Sequence, residues 1–184
     1  NTMASIGDVV EVLTKRLWSP KLVVVHAEKI VLCSGAYDAE DVVSEATSGA
    51  TPFIFKNCAR YKGGGGYIVH SVILAQTTAI GAWFALYLHA GLPTCALNDD
   101  VANTAPKLED RFIYQGRINY DTCTGLGTNE MDSAEATPSD SNKLPKAFVC
   151  ASGSKDLQGV MVIRNAVDLA DSTVLHPILW IEQY

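Results

Sequence analysis

The longest stretch of the chain without Asp, Glu, Lys or Arg covers residues 63–98. It exceeds the roughly 20 apolar residues that a membrane-spanning helix needs. A polar run at residues 76–78 interrupts it, however, where a spanning helix would carry Leu or Ile. The first half is rich in β-branched residues and the second in aromatics, which is typical of strands. We therefore predict two central strands joined by a turn, in a sheet that is covered on both sides or is covered on one side by a subunit.

Residues 111–120 show the clearest alternation of apolar and polar positions in the chain. Phe112, Tyr114, Ile118 and Tyr120 fall on one face, as in a half-exposed antiparallel strand. Shorter apolar runs predict further strands, of which residues 21–33 form either one long strand or two short ones. The other predicted strands cover residues 53–55, 147–150, 157–164 and 177–183.

About eight short strands with very little helix indicate an all-β protein. The predicted fold is an antiparallel β-sandwich, with a jelly roll or a related Greek key as its leading form. Residues 1–20 are predicted to form an N-terminal arm or a short helix, and residues 21–184 a single sandwich domain. Residues 121–145 carry several acidic residues and no strand pattern, so they predict one long acidic loop.

The net charge of −6 argues against DNA or RNA as a partner, because phosphate binding needs clustered Lys and Arg. Arg60 and Lys62, beside the four glycines of residues 63–66, come closest to a basic patch. Those glycines are not followed by Lys-Ser or Lys-Thr, so they are not a P-loop. We expect them to let the backbone pass close to a neighbour or change direction. The first residues do not have the pattern of a signal peptide, and no membrane partner is expected.

No zinc-protease, serine-hydrolase, nucleotide-binding or EF-hand motif occurs in the sequence. His26, His70, His89 and His176 lie on separate segments, so we interpret them as hydrogen-bonded or exposed structural residues. Residues 98–100, Asn-Asp-Asp, offer oxygen ligands for calcium, but a turn capped by its own side chains is the favoured interpretation. We therefore predict no catalytic residue, no cofactor and no metal site.

Seven short segments share their order and spacing with a known group of proteins. They are residues 41–43 (Asp-Val-Val), 55–60 (Phe-Lys-Asn-Cys-Ala-Arg), 64–68 (Gly-Gly-Gly-Tyr-Ile), 86–88 (Leu-Tyr-Leu), 96–99 (Ala-Leu-Asn-Asp), 148–154 (Phe-Val-Cys-Ala-Ser-Gly-Ser) and 157–159 (Leu-Gln-Gly). With them the chain resembles small tailed-phage virion proteins that decorate or cement the head. The likeness runs from about residue 36 to the C-terminus, while residues 1–35 and 121–145 diverge.

The resemblance implies a non-enzymatic β-sandwich that binds the major capsid protein on the outer surface of the head. It also implies a homo-oligomer, a dimer or a trimer, that is assembled in the host cytoplasm and located on the virion. Such a protein needs exposed apolar surface and arms that reach neighbouring subunits. The termini and residues 121–145 are the candidate arms, and residues 63–98 hold more apolar surface than one small core needs.

A carbohydrate-binding module of a virion or of a secreted protein is the alternative function, and a β-sandwich hydrolase ranks third. A glycan-binding face would use Trp or Tyr platforms, which the chain also supplies. Each of these aromatic side chains serves either the core or an interface. They are Trp18, Trp83, Tyr87, Tyr114, Tyr120, Trp180 and Tyr184.

The five cysteines are odd in number and widely spaced, without a C-x-x-C pair. This usage fits a reducing cytoplasm, so we predict that all five are free thiols. Mass spectrometry after alkylation under denaturing, non-reducing conditions should therefore count five modified cysteines. A loss of two or more alkylated sites through disulfides would contradict the prediction.

Overall fold

The computed structural model describes residues 19–32, 35–76, 80–125, 131–136, 138, 142–169 and 173–184. The predicted N-terminal arm, residues 1–20, lies outside this part of the chain except for its last two residues. The described residues form strands and no helix, and hence no helix that could cross a bilayer. The strands are β1 (Lys21–His26), β2 (Lys29–Ile30), β3 (Ala36–Tyr37), β4 (Asp41–Val42), β5 (Phe53–Phe55), β6 (Gly65–Ala75), β7 (Phe84–His89), β8 (Val101–Ala102), β9 (Tyr114–Tyr120), β10 (Thr124–Gly125), β11 (Asp132–Glu135), β12 (Lys146–Val149), β13 (Leu157–Ile163), β14 (Val167–Asp168) and β15 (Val174–Gln183).

The strands form two main antiparallel sheets and one small one. The first sheet has seven strands in the order β1-β15-β6-β11-β10, with β12 also paired to β6 and β2 to β15. The second has six strands in the order β8-β4-β13-β7-β9, with β5 also paired to β13. Strands β14 and β3 form the small sheet. The predicted fold class, an all-β antiparallel sandwich, is confirmed.

One hydrophobic core joins the two main sheets. Its side chains come from alternate strand positions, because successive residues of a strand point to opposite faces. The inward positions Ile68 and Ile73 of β6 are fully buried, as are Phe84, Leu86 and Leu88 of β7. Each apolar side chain of this size that is removed from water stabilises the fold by about 1.5–3 kcal/mol.

The uncharged residues 63–98 form two strands, as predicted, but these strands do not pair with each other. Strand β6 lies between β15 on one edge and β11 and β12 on the other. Strand β7 lies in the second sheet, between β13 and β9. The predicted turn-linked pair is wrong because each strand has partners along both edges in its own sheet. Strand β7 is buried at all six positions, whereas β6 has one partly exposed face.

The alternating residues 111–120 form a shorter strand than predicted, β9, which begins at Tyr114. Phe112 is 81% exposed, because residues 110–113 form a turn in which the Ile113 N–H donates to the Asp110 carbonyl at 2.9 Å. Within β9 the pairing with β7 shifts register near Gly116, whose φ is +107°. The shift is a β-bulge, and it places Tyr114 against the outer side of the sheet while Ile118 faces the core.

The predicted acidic loop, residues 121–145, contains two strands and is therefore not one long loop. Strands β10 and β11 pair with each other, and β11 also pairs with residues 72–75 of β6. Asp132 of β11 is fully buried, and one of its carboxylate oxygens accepts a hydrogen bond from the Ile80 N–H at 2.9 Å. The acidic residues of segment 121–145 indicated a solvated loop, but one of them, Asp132, is buried in the interior.

Two glycines of the run at residues 63–66 meet neighbouring backbone, as predicted. A Cβ atom on Gly65 would overlap the Phe148 carbonyl oxygen, and a Cβ on Gly66 would overlap that of Glu182. These carbonyls belong to β12 and β15, the two strands that flank this end of β6. Only glycine allows both strands to approach so closely here.

We predict that Gly66→Ala destabilises the protein by about 1–3 kcal/mol, because the new methyl group forces β6 and β15 apart. Urea denaturation should show a lower midpoint with an unchanged slope. Gly153→Ala is the matched control, because a Cβ there meets no atom within 4 Å. Equal stability of the Gly66 variant and the control would show that the sheet accommodates the methyl group without strain.

Candidate functional site

One face of the seven-stranded sheet points away from the core and carries mostly apolar and aromatic side chains. Cross-strand partners project on the same side of a sheet. Val24 pairs with Trp180, which pairs with His70, so these three form one row across β1, β15 and β6. We name this surface the outer face, and its residues are Leu22, Val24, His26, Tyr67, His70, Val72, Leu74, His176, Ile178, Trp180 and Glu182.

The outer face is partly exposed and carries no Lys or Arg. Leu22 is 60% exposed and Val24 44% exposed, whereas Ile178 is 9% exposed. Besides three histidines, the outer face holds one residue with a formal charge, Glu182. A strand face with so little charge is costly to leave in water, since apolar surface is stabilised by burial.

Aromatic rings on and beside the outer face hold one another in place. The Trp180 ring lies 4.8 Å from the His70 ring, centroid to centroid. Tyr67 meets Tyr184 edge to face at 5.7 Å. Rings fixed in this way offer large contact area at little further loss of side-chain freedom.

The structure brings together two of the four histidines. His26 and His176 share a hydrogen bond of 3.0 Å between Nδ1 and Nε2, and His176 Nδ1 lies 3.0 Å from a Glu28 carboxylate oxygen. His70 contacts Trp180 on the outer face, as described above. His89 lies elsewhere, at the end of β7.

A groove of about 800 Å³ runs along the edge of β1. Among the described strands, β1 pairs on one edge alone, with β15. Four cationic side chains line the groove, Lys21, Lys56, Arg60 and Lys155, and none of its described lining residues is acidic. Lys62, which the sequence grouped with Arg60, does not line it. We name this feature the basic groove.

A second feature lies beneath the surface of the second sheet. His89 ends β7, Cys95 follows in the connecting loop, and Asp110 lies in the turn before β9. One potential ligand atom from each residue lies within 4.8 Å of the other two. His89 is fully buried, and Cys95 and Asp110 are 6% and 2% exposed. We name these three residues the buried cluster.

Burial controls protonation in the buried cluster. Desolvation lowers the pKa of His89, and the Asp110 charge and the Tyr87 backbone oppose that shift only in part. Desolvation, reinforced by the Asp110 charge, raises the pKa of the Cys95 thiol to about 11. Both side chains are therefore neutral at pH 7.

The members of the buried cluster differ in their hydrogen bonds. The Thr94 N–H lies 3.0 Å from each Asp110 carboxylate oxygen, and the Thr94 hydroxyl donates to Oδ1 at 3.0 Å. In contrast, neither ring nitrogen of His89 makes a hydrogen bond of good geometry among the described residues, although the Tyr87 backbone lies close enough to favour the charged form of the ring. His89 is thus buried without a well-formed hydrogen bond, contrary to the expectation for the histidines.

The acidic pair at residues 99–100 has a structural role. Asp99 is 1% exposed, and its Oδ1 accepts hydrogen bonds from the Tyr37 hydroxyl at 2.7 Å and from the Ser44 N–H at 2.8 Å. The Asp99 side chain therefore holds together the segments of Tyr37 and Ser44. The sequence predicted instead that side chains would cap the turn at residues 98–100 itself.

The aromatic residues that the sequence assigned to either the core or an interface divide between the two. Tyr87 and Tyr120 are buried, whereas Trp83 and Tyr184 are about half exposed. Trp18 lies outside the described residues. The four cysteines of the described ranges are buried free thiols, in line with the prediction.

Comparison of the sequence with protein-family models and with curated proteins gives no match. Arguments about function therefore rest on the outer face, the basic groove and the buried cluster.

Proposed function

We propose that this protein is a structural virion protein that binds the outer surface of a phage head as a homo-oligomer and stabilises the capsid lattice. The observation that carries the proposal is the apolar, partly exposed outer face of the seven-stranded sheet. Apolar surface of this kind on a rigid domain is typical of a protein–protein contact. The resemblance of seven sequence segments to head-decoration proteins supplies the partner, the major capsid protein.

The second sheet provides a comparison within the same molecule. Its outer side, which includes Ala85, Tyr87 and Val160, packs against loop residues such as Cys95 and Leu97. The fold thus covers one of its two outer sheet surfaces with its own chain. The outer face of the first sheet is covered less completely. Among the described residues Glu28 and Met131 lie beside Leu74 and His176, while Leu22 and Val24 remain 60% and 44% exposed, which favours another molecule as the occupant of this part of the face.

The basic groove extends the proposed contact beyond apolar burial. An extended peptide can add through backbone hydrogen bonds to the edge of β1 that has no strand partner among the described residues, as in β-strand addition. The cations Lys21, Lys56, Arg60 and Lys155 favour an acidic peptide. An acidic arm of a neighbouring subunit on the head meets both requirements.

Binding to an assembled lattice stabilises that lattice by mass action. A protein that binds the shell and not free subunits adds RT ln(1 + [L]/Kd) per site, which is about 2.7 kcal/mol at a ligand concentration of 100 Kd. A regular shell presents many identical sites, so a modest contribution at each one raises the resistance of the whole head.

We predict that Val24→Glu weakens binding to heads at least tenfold, a cost of about 1.4 kcal/mol, because Val24 lies on the outer face and also lines the basic groove. The new carboxylate must lose water in the apolar contact and would repel an acidic arm in the groove. Heads assembled without the protein would be mixed with purified wild type or variant and separated by sedimentation. Wild-type protein should bind in a saturable manner and raise the temperature at which the heads release DNA.

Ile54→Glu is the matched control, because Ile54 is also 44% exposed but lies on β5 of the second sheet. It should bind as wild type does. Equal weakening by both substitutions would show that the outer face is not the contact surface. Heads that never bind the wild-type protein, or that gain no heat resistance from it, would defeat the cement function.

Glycan binding is the second candidate function, because the outer face carries Trp180 and Tyr67 as aromatic platforms. A glycan panel tests it with wild type and Trp180→Ala side by side. The cement function predicts no saturable glycan binding by either protein. Saturable binding that is lost in Trp180→Ala would instead assign the outer face to carbohydrate.

A further inference from the structure

We infer that His89, Cys95 and Asp110 form a zinc site that fastens the loop after β7 to the second sheet. The inference goes beyond the proposed binding function and does not depend on it. It rests on the donor set, the mutual distances and the hydrogen bonding of the buried cluster.

The donor set suits zinc. The cluster offers one imidazole nitrogen, one sulfur and one carboxylate oxygen, all of which are common zinc ligands. Calcium and magnesium prefer oxygen ligands alone, so the thiol of Cys95 argues against them. A thiolate and a carboxylate together balance the two charges of Zn²⁺, so the bound site is neutral where net charge would be costly.

The distances are compatible with one ion. Zinc–ligand bonds of 2.0–2.3 Å place tetrahedral donors about 3.3–3.7 Å apart. The three donor atoms of the buried cluster lie within 4.8 Å of one another. They therefore need to approach by about 1.5 Å at most to share one ion. A water molecule would take the fourth position, as in other zinc sites with three protein ligands.

The buried imidazole of His89 supports the zinc site independently of the donor set and the distances. The residue has no exposed surface, and neither Nδ1 nor Nε2 makes a hydrogen bond of good geometry among the described residues. A buried polar atom without a partner costs about 1–3 kcal/mol. Coordination of zinc by one of the two nitrogens removes that cost. The hydrogen bonds from Thr94 orient Asp110, as neighbours of metal-ligating carboxylates commonly do.

A Cys–His–Asp nucleophilic site uses the same residue types, but the buried cluster does not suit it. A reactive cysteine is partly accessible and has a lowered pKa. Cys95 is 6% exposed, and burial raises the pKa of its thiol to about 11. A metal ion avoids both obstacles, because it can be bound as the chain folds and its charge displaces the thiol proton to water.

The position of the cluster gives the metal a structural role. His89 belongs to the fully buried strand β7, whereas Cys95 and Asp110 lie near the two ends of the loop that covers the outer side of the second sheet. One ion shared by the three residues would hold both ends of that loop against the strand. Zinc binding should therefore raise the free energy of unfolding of the protein.

The test titrates chelator-treated, full-length protein with zinc chloride and, as a spectroscopic probe, with cobalt chloride. The wild type should bind one ion per chain, melt at a higher temperature with zinc and show sulfur-to-cobalt charge-transfer absorption. Cys95→Ala should lose this absorption. It should also bind zinc more weakly by more than about 100-fold, since loss of a mere hydrogen-bonding neighbour of a ligand already costs 10–100-fold.

Cys150→Ala is the matched control, because Cys150 is a buried free thiol outside the cluster. It should keep the absorption and the zinc affinity of the wild type. If Cys95→Ala fails to fold, Asp110→Asn replaces it and should weaken zinc binding while the sulfur-to-cobalt absorption persists. A wild type that binds no zinc, or absorption that survives in Cys95→Ala or is lost in Cys150→Ala, would overturn the assignment.

Discussion

The antiparallel pairing of β6 with β15 is the interaction on which the rest of the structure depends. Its register runs from Gly66 opposite Gln183 to Ala75 opposite Leu175. This register decides which side chains enter the core and which form the outer face. A slip by one residue would exchange the two sets, so that Trp180 would turn inward and Ile181 outward. Every other strand of the first sheet except β10 then pairs directly with β6 or β15.

The sequence predicted the fold class because hydrophobic alternation reports which strand positions are buried. It failed where long-range pairing decides the outcome. Uncharged residues 63–98 indicate two strands but not which partners they take, and the two strands lie in different sheets. Phe112 continues an alternating pattern, yet the turn at residues 110–113 exposes it. Asp132 looks like a loop residue by its charge, yet strand pairing carries it into the interior.

The candidate sites also differ in how far the sequence predicts them. The many apolar residues of β6 predict a second apolar sheet surface besides the core. The outer face, where β6 positions are only partly buried, matches that prediction. The buried cluster has no such signal, because the spacing of His89, Cys95 and Asp110 matches no local metal motif. Its members meet only because the loop returns to β7 and a bulge in β9 sets the turn at Asp110 beside it. The basic groove likewise joins Lys56 and Arg60 to cations from two other parts of the chain.

The buried thiols make the lifetime of this protein depend on its folded state. Burial raises the pKa to about 12 for Cys58 and Cys123 and to about 11 for Cys150, so these thiols are inert towards oxidants while the sandwich is intact. Unfolding returns them to ordinary reactivity, with a pKa of about 8.5. In air, the small fraction of chains that is open at any moment can then be cross-linked. Because oxidation by air is slow compared with refolding, shelf life outside a reducing compartment is set by the free energy of opening, which fixes that fraction.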